Sequence, residues 1–220
     1  MACRRPEAAS WYTWNDLHEG RSLNIVFDLG GVVFNWQPKA IIERVFTDPG
    51  RQDLVRSLIF EHRDWVELDR GALALDQAIE RGAARTGLPR DDIERLLDAV
   101  PPSLTPKHET IELIRSLHCT DNRLFVLSNM HLASIAYLEK NHDIWGLFDG
   151  IVVSSRIQKV KPEIGIYEHL LSVYQLKAAD TVFIDDMSEN LAAASTLGIQ
   201  TIRFLDAAQC RKALTHLLCL

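Results

Sequence analysis

At 220 residues, 47% of them hydrophobic, the chain exceeds one domain of about 150 residues and falls short of two, and it can bury roughly 70% of its unfolded surface without disulfides or a structural metal. Its 30 acidic and 24 basic side chains leave a net charge of −6, and beyond Arg4-Arg5 no cationic run offers the footprint that nucleic acid requires. Its four cysteines (Cys3, Cys119, Cys210, Cys219) form no Cys-x-x-Cys pair and no apolar stretch nears the roughly 20 residues that cross a bilayer, which argues against a zinc ribbon, a redox pair and a membrane span.

Residues 1–22 lack the apolar core of a signal peptide and read as an N-terminal extension, so the expected setting is reduced and cytoplasmic. Ile25-Val26-Phe27 then gives the first strand. From Trp36 to Pro106 only helical patterns follow, over 40–46, 54–59, 75–86 and 92–100, punctuated by Pro49, Gly71, Gly87, Pro89 and Pro101-Pro102. Thr105-Pro106 predicts the start of a further helix carrying Ile111, Leu113, Ile114 and Leu117 on its apolar stripe. Leu124-Phe125-Val126-Leu127 is the second strand, with a helix over 132–141 behind it. Ile151-Val152-Val153 is the third, followed by a helix over 163–174. Thr181-Val182-Phe183-Ile184 is the fourth, with a helix over 189–197 stopped by Gly198, and Thr201-Ile202-Arg203-Phe204 is the fifth. Uninterrupted rather than alternating hydrophobicity suits strands buried on both faces. The expected fold is therefore α/β, a doubly wound, Rossmann-like parallel sheet with an inserted helical cap: core at 23–35 and 107–220, cap at 36–106.

In such sheets ligands bind beyond the carboxyl ends of the strands. The first strand ends in Asp28, the second in Ser128-Asn129 and the fourth in Asp185-Asp186, while Lys161-Pro162 follows the third after a short connection. Each residue alone reads as a cap or a solvated loop group. Together, carboxylates crowded at one rim repel unless a cation neutralises them, and an all-oxygen site suits Mg²⁺.

These segments, Phe27-Asp28-Leu29-Gly30-Gly31-Val32, Leu127-Ser128-Asn129, Lys161-Pro162-Glu163-Ile164-Gly165-Ile166-Tyr167 and Phe183-Ile184-Asp185-Asp186-Met187-Ser188-Glu189-Asn190, resemble in order and spacing the four motifs of the haloacid dehalogenase-like hydrolase superfamily. The resemblance spans about residues 23–205 and implies a phosphatase acting on a small phosphorylated molecule. Asp28 would be the nucleophile that takes the phosphoryl group. Mg²⁺ would be held by Asp28, the Gly30 carbonyl and Asp186, with Asp185 a further ligand or a supporting acceptor. Lys161, the Ser128 hydroxyl and the Asn129 backbone N–H would contact the phosphoryl oxygens. Gly30 departs from the pattern, because most phosphatases of the superfamily carry there a second aspartate that serves as general acid and base. The Asp-Leu-Gly variant is similar to bacterial phosphatases acting on glucose 1-phosphate, whose leaving group is a good one.

Haloacid dehalogenases also lack the second aspartate but need no metal and have no use for Asp185-Asp186; a catalytically impaired binding module rests on Gly30 alone. A phosphonatase would need a cap lysine, and 40–106 contains none; a phosphosugar mutase would need the side chain that Gly30 lacks. In the cap, Glu61, His62, Asp64, Trp65, Asp69 and Arg70 cluster near the Arg70-Gly71 turn. Asp69 or His62 is expected to supply the missing proton and Arg70 to help select the substrate. His131 is expected to be a satisfied loop histidine, Trp36 and Trp65 to pack at the core–cap junction, and Trp11 and Trp14 to dock on the core or a neighbouring subunit. The oligomeric state is left open.

Overall fold

The computed structural model describes residues 22–218. The expectations for Trp11 and Trp14 lie outside the described residues, as do Cys3 and Cys219. The five strands are β1 (Asn24–Phe27), β2 (Arg123–Ser128), β3 (Gly150–Val153), β4 (Thr181–Asp185) and β5 (Gln200–Arg203). They form one parallel sheet in the order β3-β2-β1-β4-β5. The chain leaves β1 to lay β2 and β3 on one side and returns to lay β4 and β5 on the other. The reversal of order places a crevice at the carboxyl ends of β1 and β4, where Asp28 and Asp185 stand.

Alternate side chains of each strand point to opposite faces. Ile25, Phe27, Leu124, Val126, Val182 and Ile184 enter one apolar cluster. That cluster is closed by helices α7 (His108–His118), α8 (Leu132–Asn141) and α12 (Ala207–Leu218). Val26, Phe125, Leu127, Val152 and Phe183 enter a second, closed by α10 (Ile164–Val173) and α11 (Ser188–Ser195). Strands β1 to β4 thus feed both layers, which explains their continuous hydrophobicity, whereas β5 at the edge buries only Ile202.

Between β1 and β2 lie α1 (Pro38–Val45), α2 (Pro49–Val55) running into a π-helical turn (Arg56–Phe60), α3 (Arg63–Arg70), α4 (Leu75–Thr86), α5 (Arg90–Asp98) and the single turn α6 (Val100–Ser103). They share an apolar cluster of their own, including Ile41, Val55, Leu68, Ile79, Ile93 and Leu96. A further single turn, α9 (Ser154–Ile157), follows β3 directly and packs against α3. No helix among the described residues is long and apolar enough to cross a membrane.

Two local expectations need correction. The helix expected to open at Thr105-Pro106 begins at His108, because Pro106 instead bridges to Phe34 and ties the start of the second core segment to the turn after β1. Helix α3 was not expected, since it buries only Leu68 along its length and its start is capped by the His62 ring, which accepts from the Asp64 N–H at 3.1 Å.

Candidate active site

Asp28 is fixed by its place at the end of β1. Its N–H continues the sheet to the Ile184 carbonyl at 3.0 Å, and its Oδ1 accepts from the Leu29 N–H at 2.7 Å. The chain then turns tightly, with the Leu29 carbonyl receiving the N–H groups of Val33 and Phe34 at 2.9 and 2.8 Å. Gly31 sits in that turn at φ +78°, and a Cβ there would lie 2.3 Å from an oxygen of Asp186. Glycine at 31 is therefore required twice, by its left-handed backbone and by the carboxylate leaning on it. Gly31→Ala should displace the Asp186 carboxylate and cost about 1–2 kcal/mol of stability for the left-handed backbone, as read by urea titration.

Lys161 is the electrostatic centre. Its Nζ, almost wholly buried, lies 2.9 Å from Asp28 Oδ1 and 2.7 Å from Asp185 Oδ2. The Asn129 side chain clamps the Lys161 backbone from both sides, donating to its carbonyl at 2.9 Å and accepting from its N–H at 2.8 Å. Burial alone would lower the Lys161 pKa, but the two flanking carboxylates outweigh it and the net shift is upward. Asp185 is fully buried and its oxygens are already engaged: Oδ1 by the Met187 N–H at 2.8 Å, Oδ2 by Lys161, and both by the Asn190 amide at 3.1 Å. Asn190 is held in turn by the Tyr167 hydroxyl, which donates to its carbonyl at 2.9 Å. Asp185 is thus arranged as a support for Lys161 and the α11 start.

Asp28, Asp185 and Asp186 bring one carboxylate oxygen each within 4.8 Å of one another. Burial pushes the Asp28 carboxyl up to about 7, opposed by Lys161 and reinforced by Asp185 and Asp186. Burial and Asp185 likewise raise Asp186. One ammonium does not balance three carboxylates, and the remaining demand is for a hard cation with oxygen ligands. The Ser128 hydroxyl at the end of β2 is buried and has no hydrogen-bond partner. Such an orphaned group costs about 1–3 kcal/mol unless a ligand completes it.

Above these residues opens a cavity of about 430 Å³, lined by Asp28, Gly30, Asn129, Lys161 and Asp186 on the core side. The rest of its lining is largely apolar, with Trp36, Trp65, Leu104, Met130 and Met187 among the walls. The indoles of Trp36 and Trp65 stack with centroids 5.7 Å apart, and Phe60 packs on Trp65 at 4.7 Å. His131, expected to be a satisfied loop residue, both pairs with Ser134 Oγ at 2.9 Å and forms part of the lining, its ring edge-on to Trp65. Burial lowers its pKa to about 4, so it presents a neutral ring. Trp36 and Trp65, expected as packing, are walls as well.

The cap residues singled out in the sequence separate. Asp69 lines the cavity. His62 caps α3, and Asp64 pairs with Arg85. Glu61 pairs with Arg56 at 3.1 Å. Arg70, expected to help select the substrate, lies outside the residues that line this cavity and forks onto Glu163 of the core at 2.6 and 2.7 Å. Beside it, Gly71 at φ +78° lies so close to the core that a Cβ would meet the Ser155 carbonyl at 2.4 Å. The cap turn is clamped to the core at this corner.

A family profile described as haloacid dehalogenase-like hydrolase matches residues 84–204, more than half of the chain. The chain is 30% identical over 182 residues to a sesquiterpene phosphatase, astK, of Aspergillus oryzae, covering 83% of this chain and 89% of that protein. The structure of a predicted HAD-like family hydrolase from Porphyromonas gingivalis superposes with a TM-score of 0.71 at 26% identity, covering 90% of this chain and 98% of that one. A HAD family enzyme from Bacteroides thetaiotaomicron, solved with magnesium and inorganic phosphate, shares the fold with a TM-score of 0.64 at 18% identity, over 84% and 96% of the two chains.

Proposed function

The chain belongs to the haloacid dehalogenase-like hydrolases, and from that premise we propose that it is a Mg²⁺-dependent phosphatase that takes the phosphoryl group onto Asp28 from the monophosphate of an apolar, isoprenoid-type alcohol. The carboxylates of Asp28 and Asp186 with the Gly30 carbonyl would hold the ion, a set of hard oxygen donors that fits it; bound there, it supplies positive charge to the phosphate and its transition state. The chain's own groups do the rest. Lys161 favours the anionic form of Asp28 and aims it, and its remaining donor capacity would serve the phosphoryl oxygens. The unpartnered Ser128 hydroxyl and the Asn129 N–H complete the cradle. The paired acids at Asp185 and Asp186 argue against a dehalogenase, whose metal-free reaction would leave them an uncompensated electrostatic cost.

The observation that carries the substrate class is the wall of the cavity. Two stacked indoles, Met130, Met187 and Leu104 meet the leaving group with mostly apolar surface, which favours an apolar alcohol over a sugar, although Asp69, His131, Ser134, Glu189 and Asn190 also line the cavity. The sesquiterpene phosphatase at 30% identity supports the same direction, whereas the glucose 1-phosphate reading rests on the Asp-Leu-Gly motif alone. The test is phosphate release from prenyl monophosphates and from glucose 1-phosphate, with Mg²⁺ and with EDTA. Burying about 100 Å² more apolar surface is worth roughly 2.5 kcal/mol, so kcat/KM should favour the prenyl ester by about 10²-fold. EDTA should remove the activity on both. Equal or faster turnover of glucose 1-phosphate would overturn the substrate class.

A further inference from the structure

An ester of an ordinary alcohol needs a proton delivered to its leaving oxygen, and the side chain that most relatives use is absent at Gly30. The space for one is not closed: a Cβ at Gly30 would meet only Trp36 Cβ, at 3.8 Å. Among the groups lining the cavity, Asp28 and Asp186 belong to the carboxylate cluster, Lys161 is locked between two carboxylates, and Glu189 is exposed in the first turn of α11. His131 is committed to Ser134. That leaves Asp69, on the last turn of α3, reaching the cavity from the cap.

Resting on the phosphatase reading, we propose that Asp69 is the general acid and base of this enzyme, supplied by the cap in place of the side chain missing at Gly30. Its backbone is pinned to the core, because the Ser154 hydroxyl donates to the Asp69 carbonyl while accepting from the Met130 N–H at 2.9 Å. Its carboxyl interacts with the His131 backbone N–H and with Trp65 one turn back on α3. The fork of Arg70 onto Glu163 and the close approach of Gly71 to Ser155 fix the same turn. An acid held from both sides in this way is placed before the substrate arrives.

The charged groups acting on it are Asp28 and Lys161. Withdrawal from water raises its pKa to about 7, the Asp28 charge adding to the rise and the two hydrogen bonds and Lys161 opposing it. Acid and base forms are then both accessible near neutrality, as the two half-reactions require. In the first, Asp28 attacks phosphorus, the bond from phosphorus to the alcohol oxygen breaks, and that oxygen takes the Asp69 proton and leaves as the alcohol. In the second, Asp69 carboxylate takes a proton from water as its oxygen attacks the same phosphorus. The bond to Asp28 breaks, phosphate departs, and both aspartates return to their starting states.

Leaving-group dependence tests the assignment. Full-length wild type, Asp69→Asn and Asp69→Glu would be assayed with Mg²⁺ on 2-phenylethyl phosphate, whose alkoxide needs a proton, and on 4-nitrophenyl phosphate, whose phenolate does not. Because kcat/KM reports steps through leaving-group departure, Asp69→Asn should lose about 10²–10³-fold on the alkyl ester and less than about threefold on the aryl ester. The aryl ester should also show a burst of nitrophenolate, since water attack still lacks its base. Asp69→Glu, which keeps a carboxyl, should recover part of the alkyl activity. Equal losses on both esters in both variants, or no loss on the alkyl ester, would overturn the assignment. A wild-type chain inert on both esters would instead overturn the phosphatase reading, and the assignment with it.

Discussion

Asp28→Asn is expected to lower kcat by at least about 10⁴-fold, the scale of nucleophile deletions, without unfolding the protein. Asparagine keeps the shape of the side chain, and its carbonyl oxygen can still accept from the Leu29 N–H and the Lys161 ammonium that now hold Oδ1. What it loses, in the proposed mechanism, is the anionic oxygen that would attack phosphorus. Folding gains from the same change. Withdrawal from water is the main reason the Asp28 pKa is pushed up to about 7, with Lys161 opposing the rise and Asp185 and Asp186 adding to it, and a neutral side chain is relieved of that net cost. The melting temperature of the metal-free variant should therefore equal or exceed that of the metal-free wild type. Substantial turnover in Asp28→Asn, measured with its identity verified by mass spectrometry, would exclude Asp28 as the nucleophile.

Lys161→Met is expected to harm both stability and turnover. Methionine preserves the apolar stem but leaves Asp28 and Asp185 without the ammonium that each now has within 3 Å. Breaking a buried pair by removing one partner typically costs about 3–5 kcal/mol, because a buried charge is left uncompensated. The sign of the pH dependence follows. With Lys161 gone, the folded-state pKa of Asp28, already above its unfolded value, rises further. Carboxyl groups of that kind destabilise the fold when ionised and cease to do so once protonated. The deficit relative to wild type, followed by urea titration, should shrink as pH is lowered from about 8 to about 5. Turnover should fall at all of these pH values, since the proposed phosphoryl contact goes with the ammonium. A deficit that grows on acidification would contradict the account of Lys161 as the balancing charge.

Much of this arrangement was legible in the sequence because the strands of a parallel sheet are buried on both faces. Their uninterrupted apolar runs ended at Asp28, Ser128 and Asp185, and strand ends locate the crevice in any open α/β sheet. The inserted helices between β1 and β2 were legible by period, and α4 over Leu75–Thr86 matched its expected bounds because Gly87 stops it at φ +69°. What escaped depends on contacts between distant parts of the chain. Helix α3 is only eight residues long and mostly charged, with Leu68 its one buried residue, so it does not stand out in the sequence, although it carries Trp65, Asp69 and Arg70. Trp36 and Trp65 become one wall only when the cap folds, and nothing in their local sequence distinguishes a cavity wall from a packed junction. Arg70 carries the charge expected of a substrate anchor, but its partner Glu163 lies 93 positions away and claims both its nitrogens. His62 and Asp69 were equal candidates on paper; the fold separates them by making one a helix cap and the other part of the cavity lining.

In the proposed mechanism the phosphoryl group passes through a covalent bond to Asp28. Acid-quenching a single turnover of the Mg²⁺-loaded enzyme on a prenyl monophosphate, followed by peptide mass spectrometry, tests it directly. One phosphoryl group is expected on the peptide containing Asp28, appearing before free phosphate and absent from Asp28→Asn. Alcohol and phosphate released together, with Asp28 unmodified at every quench time, would contradict it.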